Sequence, residues 1–130
     1  KTHLSWAGEE GLVRVRMRAD QQPFAVKHVR VTDSGFEVKF SAPVAPAGLS
    51  GLKVRAHGYH YHKAYGSPKV NDRAVAVAAS QFDTGGTTLR IKLPELRLGD
   101  VYTIAFPGLV SRSGQPLLGD TIYYTLLTIR

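Results

Sequence analysis

The run His57-Gly58-Tyr59-His60-Tyr61-His62-Lys63-Ala64-Tyr65-Gly66-Ser67-Pro68 holds three of the chain's five histidines and three of its six tyrosines. Imidazoles ligate zinc and copper, and tyrosine rings offer a flat apolar face with a polar tip. If the run is extended, His60 and His62 project to one side and Tyr59 and Tyr61 to the other. A His-x-His pair can share one metal ion but needs a third ligand from elsewhere. His57 is too far in register to supply it, so Asp72 or His28 would have to come from another strand. Tyr59, Tyr61 and Tyr65, with Trp6, offer a second chemistry, stacking on a sugar or covering a neighbouring domain. A structural reading stands beside both. In it the tyrosines pack across a sheet edge, and the histidines bond to backbone or water. Docking or packing is favoured over glycan binding, because an exposed aromatic cluster is what a former interface leaves behind.

Catalytic chemistry finds little to work with. A serine nucleophile needs a base that a third group orients. Ser67 lies near His62 in sequence, but Gly66-Ser67-Pro68 is not a nucleophile elbow. The chain has only ten acidic residues. Asp33, Asp72, Asp83, Asp100 and Asp120 are expected at turns, where aspartate has a conformational role. Glu9-Glu10 reads as a solvated pair. Gly85-Gly86 is followed by neither a helix start nor Lys-Ser/Thr, so it is not a phosphate loop. Cysteine is absent, which removes disulfides, thiolate metal sites and thiol nucleophiles together. The expectation is a protein without catalytic residues of its own and without a cofactor.

The elements that carry these residues are strands. Val13, Val15 and Met17 alternate with Arg14, Arg16 and Arg18. Phe36, Val38 and Phe40 alternate with Glu37 and Lys39. Leu89, Ile91 and Leu93 alternate with Arg90 and Lys92. Tyr102, Ile104 and Phe106 share one face, as do Val75 and Val77, and 121–129 is rich in β-branched and aromatic residues. Period-two alternation makes one face of each strand apolar and the other wet. The same pattern accounts for the net charge of +7. Most cations fall singly on outward faces, and only Arg14 to Arg18 forms a stripe, so nucleic acid is not the expected partner. No apolar run reaches the length of a membrane span.

Turn signals separate the strands. Asp33-Ser34-Gly35 is a hairpin turn, Gly85-Gly86 and Leu98-Gly99-Asp100 each precede a strand, and Ser113-Gly114-Gln115-Pro116 follows 109–112. The proline-bearing 42–47 suits a loop or a single helical turn. Leu96 stands six residues before Tyr102, with a glycine turn between them. That is the sequence form of a tyrosine corner, in which the Tyr102 hydroxyl bonds to upstream backbone. The fold class is therefore all-β, an immunoglobulin-like antiparallel β-sandwich of seven or eight strands. Its core should include Phe36, Val38, Phe40, Leu89, Ile91, Leu93, Tyr102, Ile104 and Leu126.

Three segments carry a resemblance. Gly35-Phe36-Glu37-Val38-Lys39-Phe40-Ser41-Ala42-Pro43-Val44 resembles the opening of bacterial Ig-like domains of the surface-layer type. Residues 96–106 resemble their tyrosine-corner strand, and 109–117 the segment before their last strand. A narrower resemblance rests on 59–68 and Tyr123-Tyr124-Thr125-Leu126. These look like a domain appended to exported sugar dehydrogenase-like β-propellers (of the glucose and sorbosone type), which often carry c-type cytochrome domains. The resemblance implies a periplasmic or extracellular accessory domain, a spacer or docking module, whose partner is a β-propeller or cytochrome c domain of the same polypeptide. It does not bring the dehydrogenase activity with it. Residues 1–18 then read as a linker or leading strand from a preceding domain, and 19–130 as the Ig-like domain. A chain that opens on Lys1 rather than Met fits a piece of a longer protein. Tyr59, Tyr61, His62 and Tyr65 are the candidate ligand-binding or docking residues, His60 and His62 the candidate metal pair, and Tyr102 the structural one.

Overall fold

A computed structural model describes residues 14, 16, 18, 22–45, 48–60 and 66–129. Among the described residues there are eight strands: β1 Val26–Thr32, β2 Gly35–Phe40, β3 Lys53–Tyr59, β4 Lys69–Val75, β5 Ala79–Phe82, β6 Thr88–Lys92, β7 Val101–Ala105 and β8 Thr121–Thr125. They form two four-stranded sheets, ordered β1-β2-β6-β5 and β4-β3-β7-β8. All pairings between these strands are antiparallel. This is the immunoglobulin arrangement, with one extra strand beside the second sheet.

All nine expected core residues are buried, and Phe24, Val44, Val54, Ala56, Phe106 and Leu109 join them. Aromatic rings stitch the two sheets together. The Phe36 ring lies 5.2 Å from those of Tyr102 and Tyr124, and Phe40 lies 5.6 Å from Phe106. Burying each such side chain is worth roughly 1.5–3 kcal/mol.

The tyrosine corner is present. The Arg97 N–H donates to the Tyr102 hydroxyl at 2.8 Å. Gly99, at φ 86°, takes the chain through the turn, and its N–H donates to the Leu126 carbonyl. The corner thereby ties the start of β7 to the chain leaving β8. The Asp33-Ser34 hairpin also forms, pairing Thr32 with Gly35. In the turn before β6, the Asp83 carboxylate accepts the N–H groups of Thr87 and Thr88. Those bonds, Thr88's foremost, lower its pKa to about 2.

Four sequence expectations shift. Asp72 lies inside β4, not at a turn, because Val70 and Arg73 on either side of it pair with β3; its carboxylate reaches Arg55. The last strand stops at Thr125 rather than Ile129, because its partner β7 begins at Val101. Residues 109–112 make single bridges, Val44 to Ser111 and Val110 to Pro116, instead of a strand. Of the two readings of 42–47, the described residues 42–45 take the loop, and the helical turn falls at Gly48–Gly51. The leading strand expected around Val13, Val15 and Met17 lies outside the described residues, as do Trp6, Glu9 and Glu10.

Candidate functional site

β3 delivers the Tyr/His run to one end of the second sheet. Val54 and Ala56 point into the core, so Arg55, His57 and Tyr59 point outward. A register shift between Ala56 and Gly58, with Asn71 at φ 54° opposite, bends this end of the β3–β4 ladder. The outward position does not leave His57 wet. It is only 3% exposed, and its cross-strand partner Val101 is buried too, at 8%. The Tyr59 ring meets the imidazole edge-on, with centroids 5.0 Å apart. Among the described residues, His57 Nε2 has no hydrogen-bond partner. Tyr59 itself is 46% exposed.

Past the ladder, the His60 N–H donates to the Pro68 carbonyl at 3.0 Å and holds the two legs of the run together. Tyr61, His62 and Tyr65 lie outside the described residues, so the His60–His62 pair lies partly outside them. The third ligands considered for that pair are engaged or distant. Asp72 is ion-paired to Arg55 at 3.0 Å, and the hydrogen bond from Arg55 holds its carboxyl below the usual aspartate range. His28 is on β1, in the opposite sheet. Among the described residues, no group of three or more metal-ligating side chains converges.

Three further residues lie beside this end of the sheet, and the sequence assigned none of them to a site. Arg73 reaches Asp100, linking β4 to the turn before β7 beside Gly58. The turn signal around Asp100 was local, but its pairing with Arg73 was not, since the pair forms only when β4 and β7 flank β3. Tyr123 is 69% exposed on the same outer face as Tyr59. It is paired with Thr103, which in turn pairs with Arg55. The Tyr123-Tyr124 doublet carried the signal, because alternation sends one ring out and the other, Tyr124, against the core.

No protein-family model matches the chain, and no curated protein matches it in sequence. Solved structures do match in fold. The chain is similar to the crystal structure of the S-layer protein rSbsC(31-844), with a TM-score of 0.59 at 20% identity over 82% of this chain and 14% of that one. The N-terminal part of the bacterial S-layer protein SbsC gives 0.57 at 19% identity, covering 82% and 24%. Domains 1-6 of surface layer protein SbsC give 0.59 at 18% identity, covering 82% and 14%. The chain spans a quarter or less of each of those chains. At such identity the likeness is one of fold, and the chain has the β-sandwich fold found within a bacterial surface-layer protein.

Proposed function

We propose that this chain is a non-catalytic accessory domain, a spacer or docking module, of a larger exported bacterial protein. The observation that carries the reading is the fold likeness to one small part of a multidomain surface-layer protein. The use of polar groups supports it. Asp83 is spent on a turn, Asp72 and Asp100 on arginines, and the Tyr102 hydroxyl on backbone. Its place is outside the cytoplasm, at the cell surface or in the periplasm. The docking surface is the end of the second sheet, where Tyr59 stands half-exposed over buried His57, and Tyr61, His62 and Tyr65, which follow in the sequence, belong to it on this reading. The partner on this reading is a neighbouring domain of the same polypeptide, a sugar dehydrogenase-like β-propeller or a cytochrome c. That finer reading rests on the resemblance of 59–68 and 123–126.

Amide hydrogen exchange tests docking. Tyr59 and His60 should exchange more slowly in the full natural polypeptide than in this domain alone. Equal rates would overturn it. A second reading is favoured by the half-exposed Tyr59 ring, which has the form of a sugar-stacking platform. Retention on an insoluble polysaccharide that Tyr59→Ala abolishes would move the assignment to a carbohydrate-binding module.

A further inference from the structure

An edge strand presents a row of open N–H and C=O groups, and proteins ordinarily blunt such edges with charge, bulges or short length. Among the described residues the two sheets have four edges, and three of them do so. β1 carries Lys27, His28 and Arg30 and a register shift after Val26. β4 carries Lys69, Asp72 and Arg73, with Asn71 in the left-handed region. β5 has only four residues. β8, with five residues, carries neither a charge nor a bulge. It reads Thr121-Ile122-Tyr123-Tyr124-Thr125 and runs on through Leu126-Leu127-Thr128-Ile129 without a charge, proline or glycine. Tyr123 is 69% exposed and Leu127 75%.

The ladder fixes which groups are open. The Leu126 N–H donates to the Asp100 carbonyl at 2.9 Å, and the Phe106 N–H to that of Asp120 at 2.7 Å. The even-numbered residues of this segment therefore face β7. By alternation, the N–H and C=O of Thr121, Tyr123 and Thr125 point away from it. Among the described residues, nothing pairs with β8 on that side. The strand is also self-complementary about Tyr123. An antiparallel copy sets Tyr123 opposite Tyr123, Thr121 opposite Thr125, and Ile122 opposite Tyr124. That register joins the residues whose groups are open, giving about six inter-chain hydrogen bonds. Its pairs are Thr with Thr, Tyr with Tyr and β-branched Ile with Tyr, and no like charges meet.

We propose that β8 is a self-association edge, and that its partner is β8 of a second copy of this chain across a two-fold axis. The pairing makes β4-β3-β7-β8 continuous with its copy. It stands independently of the accessory role, which needs no second copy. A single short strand pair buries little surface, so the dimer is weak, with Kd in the range of about 10 µM to 1 mM.

Sedimentation equilibrium across that range tests it. The wild-type chain should show a reversible monomer–dimer equilibrium. In T121K/T125K the introduced lysines face one another, and dimerisation should weaken about tenfold or more. In T121E/T125K each glutamate faces a lysine of the other copy, and dimerisation should return to near wild type. A wild-type chain that stays monomeric throughout overturns the proposal. So does equal impairment of the two double variants, since only this register separates them. If circular dichroism shows that a variant has not folded, wild-type amide exchange decides. The Tyr123 amide should slow as concentration rises, and a constant rate would overturn the pairing.

Discussion

Tyr102 combines a ring in the core with a hydroxyl that accepts the Arg97 N–H. Tyr102→Phe keeps the ring and strands that donor at a part-buried turn. An unmet buried donor costs about 1–3 kcal/mol, and chemical denaturation should read a loss of that size. A loss below about 0.5 kcal/mol would mean that water replaces the hydroxyl at little cost. His57 presents the opposite case. Its Nε2 is buried with no partner among the described residues, so a polar atom there costs stability without a compensating bond. His57→Leu is of similar volume and should raise stability by about 1 kcal/mol. A clear loss instead would show that the imidazole has a partner or ligand worth keeping. The corner was legible in the sequence because glycine, spacing and tyrosine lie within seven residues. The burial of His57 was not legible, because a pattern of alternation assigns it to a wet face.

At the scale of elements, hairpin chemistry decides register. Gly35 opens β2 with φ 153°, and a Cβ added there would collide with the Ile91 backbone carbonyl on β6. A carbonyl in a central ladder cannot step aside without breaking the Phe36–Ile91 pairing. Gly35→Ala should therefore cost about 3 kcal/mol or more, measurable as a lowered denaturation midpoint at unchanged slope. A cost near that of an ordinary surface substitution would show that the β1–β2 turn can re-form around the methyl group. Asp33-Ser34-Gly35 announced this turn locally, as Asp83 and Gly85-Gly86 announced the next. The ends of strands were less legible, since they depend on partners. β8 stops at Thr125 because β7 starts at Val101, and Asp72 belongs to β4 because the chain on either side of it pairs with β3. The Tyr/His run was legible as an unusual composition. Its described part adds what composition could not show, that Tyr59 stands over a buried histidine at the end of β3.

Across the whole molecule, the two sheets share one core, and the aromatic contacts between them decide whether they unfold together. Phe36 on β2 belongs to one sheet, and Tyr124 on β8 to the other. Their rings meet edge-to-face at 5.2 Å and 64°. No hydrogen bond joins these two strands, so any energetic coupling between the residues must pass through packing. Edge-to-face pairs carry about 0.5–1.5 kcal/mol beyond the area they bury. A double-mutant cycle of Phe36→Leu and Tyr124→Leu isolates that quantity, because each change removes the ring contact while keeping an apolar side chain. The expected coupling lies in that range, with a single cooperative transition for all four proteins. Purely additive losses would mean that the sheets adhere by non-specific burial. Two separate transitions would mean that the corner at Tyr102, which ties β7 to the end of β8 within one sheet, is stronger than the contact between the sheets.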